Sequence, residues 1–338
     1  MNNKAMQRRL SGTVMAALFL ATLACSPVED GQTNVNDGGE ADAAVGLDVS
    51  DENDAAGADG TSPEIRETPP WDPTVALGGE RPARVLLPND YDTDKSWPLV
   101  VLLHGYSASS TVQDAYLGLS ARRHAYGFIT IQPDGTKNPE DKTFWNATEA
   151  CCDFYGSGVD DLAYLEELID EAEERLAIDP GRIYLLGHSN GGFMSYRLSC
   201  EFGSRIAAMA SLAGSSFANP ADCRAPAYPG ILQIHGTLDA VILYDGGVLV
   251  DKSYPGAREV VERWAKRNEC DDEPTSGESL NLDRATAGDE TEVLRWESCA
   301  RGSSAELWTI QGGSHIPTFT TDFIGKVLDF LFQHSRND

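Results

Sequence analysis

Residues 185–196 read LLGHSNGGFMSY, and Gly187 to Gly191 within them fit the pattern G-x-S-x-G. Ser189 is then either a nucleophile on a sharp strand-to-helix turn or a polar residue in a glycine-rich loop. The flanks bear on the choice. Ile183 to Leu186 is a short apolar run of strand character, and Asn190 to Glu201 has the spacing of a helix packed on one face. A glycine on each side of the serine suits a crowded turn that lifts its hydroxyl above a sheet.

The same alternation extends through the chain. Leu99 to Leu103 is a continuous apolar run ending at His104-Gly105, as expected for a strand covered on both faces. A helix is expected over 112–126, a strand over 128–131 and a second helix over 160–176. Strands follow at 206–212 and 231–234, then a helix over 254–268, a strand over 305–310 and a helix over 323–332. No internal repeat is visible. Strands alternating with helices over this length predict one α/β domain, a doubly wound, mostly parallel sheet with helices on both faces, spanning residues 71–338. Ligands in such sheets bind beyond the carboxyl ends of the strands.

A serine hydroxyl is a weak nucleophile and requires a base oriented by an acid. In a fold with this elbow the order is Ser, then Asp or Glu, then His. Ile234-His235-Gly236-Thr237-Leu238-Asp239 puts a carboxylate just past a strand, 50 residues after Ser189. Gln311-Gly312-Gly313-Ser314-His315 puts a histidine in a glycine-rich loop 76 residues farther on. Ser189 is thus the expected nucleophile, His315 the general base and then acid, and Asp239 the residue that fixes the imidazole tautomer. Asp245 lies farther from the strand end, and Asp222 precedes its strand. His188 is expected to point away from the nucleophile, His124 to lie on the surface, His235 to be structural and His334 to sit in a polar tail. The oxyanion donors expected are the backbone N–H groups of Asn190 and Tyr106, the latter in the loop after His104-Gly105.

These residues sit in longer stretches that resemble a known family. LLHG (102–105), FWNATEACCDF (144–154), VDDLAYL (159–165), GHSNGGFMSYRLSCE (187–201), HGTLD (235–239), YDGG (244–247) and GGSHIP (312–317) are similar to segments of the polyhydroxybutyrate depolymerase-like esterases. Those secreted α/β-hydrolases are grouped with feruloyl and acetyl xylan esterases in carbohydrate esterase family 1. The resemblance implies an α/β-hydrolase fold, cofactor-free ester hydrolysis and the same three residues, Ser189, Asp239 and His315. It departs at Leu243, where the family often has Pro, and at Ile316, where it often has an aromatic residue. Both departures bear on substrate preference. Trp145 and Ile316 are candidate substrate contacts, with packing of the 132–158 loop the alternative for Trp145. A serine peptidase of the same fold and a binding lipoprotein without catalysis are the competing functions.

Composition narrows the partners. The 338 residues carry a formal net charge of −27, which would repel a phosphate backbone and excludes nucleic acid. Lys4, Arg8 and Arg9 precede the apolar stretch Val14 to Ala21, the pattern of an export signal over 1–25. Ala24-Cys25 resembles a bacterial lipobox, so lipidation of Cys25 is expected, and with it a membrane link only through that anchor. Plain secretion is the alternative. Residues 26–70 hold twelve acidic residues, one Arg and no aromatic residue, the composition of a disordered tether. The protein is expected to be monomeric, with an ester as its partner.

Setting Cys25 aside leaves six cysteines, which allow 15 connectivities, and no spacing suited to a metal. Nearness in sequence favours Cys270–Cys299 and Cys200–Cys223, leaving Cys151–Cys152 as a vicinal pair. The lipobox reading predicts a mature chain that starts at an acylated Cys25. Mass spectrometry of the N-terminal peptide checks this, and an unmodified start elsewhere excludes the anchor.

Overall fold

The computed structural model describes residues 76–224 and 228–336. The export signal, Cys25, the acidic stretch and Trp71 lie outside the described residues. In chain order the strands are β1 (Arg84–Leu86), β2 (Trp97–Leu103), β3 (Ile129–Gln132), β4 (Thr136–Lys137), β5 (Thr143–Phe144), β6 (Ile178–His188) and β7 (Ala208–Leu212). They continue with β8 (Gly230–Gly236), β9 (Gly246–Leu249), β10 (Lys252–Pro255), β11 (Thr275–Ser276), β12 (Thr291–Trp296) and β13 (Ala305–Ile310). The helices are α1 (Ser110–Leu117), α2 (Leu119–Tyr126), α3 (Asp161–Arg175), α4 (Asn190–Phe202), α5 (Ala257–Arg267) and α6 (Phe323–Phe332).

One sheet runs β1-β3-β2-β6-β7-β8-β13-β12-β11. Its six central strands, β3 to β13 in that order, are parallel, and antiparallel strands close both edges. Side chains alternate across the sheet, so each apolar run feeds two cores. Leu99, Val101 and Leu103 of β2 join Ile183 and Leu185 of β6 under α3, α4 and α5. Val100 and Leu102 join Tyr184 and Leu186 under α6, with Leu117 and Leu119 from α1 and α2. All seven residues of β2 are buried, which is why that stretch reads as continuously apolar.

The helices begin and end for local reasons. Ser109 caps α1 by accepting from the Val112 N–H at 3.3 Å, and Asp160 caps α3 by accepting from the Ala163 N–H at 3.0 Å. The helix expected over 112–126 is two helices, because Gly118 takes a left-handed φ of 71° and ends α1. The helix expected from Tyr254 starts instead at Ala257, since Tyr254 and Pro255 pair with Gly247 and Gly246 in the β9–β10 hairpin. The pair β11 and β12 extends the sheet beyond the strands expected. Three disulfides join Cys151–Cys152, Cys200–Cys223 and Cys270–Cys299, the pairing that nearness in sequence favours.

The parallel strands β2, β6, β8 and β13 deliver the segments holding His104, Ser189, Asp239 and His315 to one edge of the sheet. Leu102, on the central strand β2, is fully buried. Leu102→Ala should cost about 3 kcal/mol of unfolding free energy in a urea titration, from lost transfer energy plus the cavity left behind.

Candidate active site

Ser189 sits between β6 and α4 with φ 55° and ψ −118°, a conformation that side-chain-bearing residues rarely adopt. It is held there because its N–H donates to Leu212 O at 2.8 Å, on the neighbouring strand. The flanking glycines are required by contact. A Cβ on Gly187 would lie 2.1 Å from Gly191 O, and one on Gly191 would lie 2.1 Å from Leu103 O. The turn therefore wedges α4 against β2 at backbone distance, and Ser189 remains 6% exposed.

The three expected residues meet. Ser189 Oγ lies 2.9 Å from His315 Nε2, and His315 Nδ1 lies 2.7 Å from Asp239 Oδ2. The other carboxylate oxygen, Oδ1, accepts from the N–H groups of Val241 at 2.8 Å and Ile242 at 2.9 Å. Burial alone would raise the Asp239 pKa, but hydrogen bonds from His235 and His315 outweigh it and hold the group well below the usual carboxylate range. Asp239 is thus an anion, and His315 Nδ1 carries the proton that faces it. That leaves Nε2 with a lone pair toward Ser189, the arrangement in which an imidazole removes a hydroxyl proton.

The loops carrying the acid and the base are tied together. Leu238 N–H donates to Gly313 O at 2.9 Å, and Gly312 N–H donates to Thr237 Oγ1 at 2.8 Å. Gly236 and Gly313 pack back to back, since a Cβ on Gly236 would lie 2.2 Å from Gly313 O. Tyr116 holds the loop from the other side by donating to Pro317 O at 2.9 Å.

The Asn190 N–H is the first of α4 and has no acceptor within its helix. The macrodipole of that helix adds partial positive charge at the same point. Across the site, the Gly105 N–H goes to Gln113 Oε1 at 3.1 Å and the Ser107 N–H to Thr143 O at 2.8 Å, with the Tyr106 N–H between them. The Asn190 side chain has a task of its own. Its Oδ1 accepts from the Trp145 N–H at 2.7 Å, and its Nδ2 donates to Trp145 O at 2.9 Å. Nδ2 also reaches Cys151 Sγ at 3.4 Å, so one amide fastens the vicinal disulfide segment to the helix start.

Other expectations need correction. Trp145 is fully buried and donates its indole N–H to His104 O at 3.1 Å, which makes it a packing residue. His334 is also buried, 2.8 Å from Ser304 Oγ and 2.9 Å from Phe330 O, and does not belong to a solvated tail. His188 makes no bond to Ser189, but it packs its ring 5.2 Å from that of His315 and lies 3.1 Å from His315 O. Of the competitors, Asp245 and His124 are exposed, and Asp222 lies in a short helical turn against Asn219. Ile316 stands 41% exposed beside His315, at the rim. Sequence reading missed Gln113, which serves Gly105 and lies 3.3 Å from His188, because nothing in its local pattern signals a partner so distant along the chain.

Residues 98–249 match the family model for the alpha/beta hydrolase fold. Feruloyl esterase B of Piromyces equi is 31% identical over 240 residues, covering 68% of this chain and 42% of that protein. Feruloyl esterase D of Neurospora crassa is 25% identical over 252 residues, 71% of this chain and 76% of that one. The solved acetyl xylan esterase from Aspergillus awamori superposes with a TM-score of 0.55 at 13% identity, covering 75% of this chain and 94% of that one. The chain has the α/β-hydrolase fold and is similar in sequence to feruloyl esterases. It spans less than half the length of Feruloyl esterase B.

Burial of His188 couples folding to proton uptake. Burial, followed by the proximity of His315, lowers its pKa from 6.5 to about 3. The unfolded chain therefore takes up this proton first as pH falls, and stability present above pH 6.5 is lost progressively toward pH 3. His188 should contribute a slope of about 1.4 kcal/mol per pH unit in that window. Denaturation curves between these limits should show a shallower slope for His188→Asn than for the parent chain.

Proposed function

We propose that the chain is a serine carboxylic-ester hydrolase acting on feruloyl or acetyl esters of plant polysaccharide. The observation that carries the proposal is the unbroken hydrogen-bond chain from Ser189 through His315 to Asp239, at 2.9 and 2.7 Å. The similarity to feruloyl esterases supports the substrate class.

Ser189 Oγ attacks the ester carbonyl carbon while His315 Nε2 takes its proton, and Asp239 faces the resulting imidazolium. The carbonyl oxygen becomes an oxyanion beside the N–H groups of Asn190 and Tyr106. His315 then gives the proton to the departing alkoxy oxygen as the carbon–oxygen bond breaks, so an alcohol departs and the acyl group stays on Ser189 Oγ. Water attacks that acyl group with His315 again as base; the acyl–Oγ bond breaks, His315 returns the proton to Ser189 Oγ, and the acid departs. Exposed Leu243 and Ile316, where the sequence departs from the family pattern, bias which acyl group is accepted. Polyester hydrolysis on polyhydroxyalkanoate uses the same chemistry and is a further candidate.

Export belongs to the same reading, with 1–25 as signal, 26–70 as tether and 71–338 as the hydrolase domain. The three disulfides favour an oxidising compartment.

Ser189→Ala should lower hydrolysis of p-nitrophenyl acetate by on the order of 10⁴-fold, and Asp239→Asn by on the order of 10³- to 10⁴-fold. Asp245→Asn should stay near the parent rate. Retained activity in Ser189→Ala would remove the nucleophile assignment, and a larger loss in Asp245→Asn would move the acid. A panel of methyl ferulate, acetylated xylan and hydroxybutyrate oligomers ranks the substrates, with methyl ferulate or acetylated xylan expected first.

A further inference from the structure

Asp239 serves two histidines. Its Oδ2, which faces His315 Nδ1 at 2.7 Å, also lies 3.2 Å from His235 Nε2. His235 is on β8, four residues before Asp239 and 1% exposed, and its Nε2 lies 2.8 Å from Ile242 O as well.

The hydrogen-bond directions behind His235 are forced one by one. Gly214 O can only accept, and Gln233 Nε2 lies 3.0 Å from it, which sets the orientation of the Gln233 amide. Gln233 Oε1 then accepts from the Tyr196 hydroxyl at 2.9 Å. The second hydrogen on Gln233 Nε2 points to His235 Nδ1, 3.0 Å away. An amide nitrogen cannot accept, so His235 Nδ1 must hold a lone pair and the ring proton must be on Nε2. That proton goes to Ile242 O at 2.8 Å, with Asp239 Oδ2 3.2 Å from the same nitrogen as the second acceptor.

We propose that His235 is a positioning residue, locked by Gln233 as the neutral Nε2–H tautomer, which donates to Asp239 and orients its carboxylate toward His315. This rests on the triad reading above and extends it. Tyr196, Gln233 and His235 form a buried wire that ends on the anion. Protonating His235 Nδ1 would break its bond to Gln233, so the ring stays neutral while His315 cycles through its imidazolium. Asp239 then remains the counter-charge of a single cation.

The ionisable groups facing this pair come from several elements. They are Asp239 and Tyr244 from the segment after β8, Tyr254 from β10, Tyr196 from α4, His188 from β6 and His315 itself. Tyr244 presents its ring edge to His235 at 5.7 Å, with its hydroxyl turned to Thr309 Oγ1 at 2.8 Å. The Tyr254 hydroxyl is occupied by the Leu243 N–H at 2.9 Å. Burial pushes the pKa values of Tyr196, Tyr244 and Tyr254 up, so all three stay neutral around the pair.

The test pairs two substitutions with one spectroscopic measurement. His235→Phe keeps the ring volume and removes the donor, whereas His235→Gln keeps a donor near the Nε2 position. His235→Phe should lower kcat about tenfold with little change in KM, as expected for one lost hydrogen bond to a charged group. It should also move the acid limb of kcat/KM to higher pH, because a carboxylate short of a donor makes its imidazole partner more basic. His235→Gln should recover most of both effects. In the unsubstituted protein, labelled with ¹⁵N-histidine, His235 should show a protonated Nε2 and an unprotonated Nδ1 across pH 5 to 9, roughly the range in which histidines titrate. The spectrum keeps the proposal testable if His235→Phe does not fold. Parent kcat and acid limb in His235→Phe, equal losses in both variants, or an Nδ1–H or titrating His235 would each overturn it. Failure of the triad itself would be seen separately, as activity surviving in Ser189→Ala.

Discussion

The edge of the sheet that carries the site is organised by a single backbone crossing, where α4 leaves β6 through Ser189 and passes against the end of β2. Gly191 lies so close to Leu103 O that any side chain there would collide with main chain, which cannot move aside. That contact forces Ser189 into a positive φ, and the bond from its N–H to Leu212 O keeps it there. Strain of about 1–3 kcal/mol at such a residue is tolerated because the surrounding sheet over-determines the turn. In return, the hydroxyl and the first free N–H of the helix face the same space.

Around that turn, burial and charge are arranged so that one full anion persists. Asp239 accepts from two backbone N–H groups and faces two imidazoles, and these bonds outweigh the cost of its burial. The nearest second imidazole to His315, His188, is kept neutral by burial. A neutral ring packed there can support the shape of the His315 loop without competing for its counter-charge. A protonated one would repel the imidazolium at 5.2 Å.

The far wall of the site is fastened by neutral hydrogen bonds and by the Arg81–Asp161 ion pair. Asn190 clamps both polar groups of the Trp145 backbone, and Trp145 in turn reaches His104 O at the end of β2. Asp161 at the start of α3 accepts from the Asn146 N–H at 2.7 Å and from Arg81 at 2.6 Å. The long segment between β3 and α3 is therefore a fixed wall, and Asn190 serves the site through both its backbone and its side chain.

Much of this could be read without coordinates. The order Ser189, Asp239, His315 and the apolar runs of β2, β6 and β8 are local patterns, because buried parallel strands must be apolar on both faces and an elbow must have glycines. The helix break at Gly118 and the alternation at the start of Thr291–Trp296 were legible in principle, one as a glycine inside a helical pattern and the other as a half-buried strand next to the sheet edge. The burial of Trp145 and His334, and the partners of Gln113, Gln233, His188 and His235, were not legible. Each of those side chains is committed by a group brought near by the chain's path, such as Gly214 O for Gln233 or His315 O for His188. Sequence specifies which residues can do chemistry and roughly where the strands end. The direction of each proton is set only when distant backbone carbonyls, which can accept and never donate, are folded against those side chains.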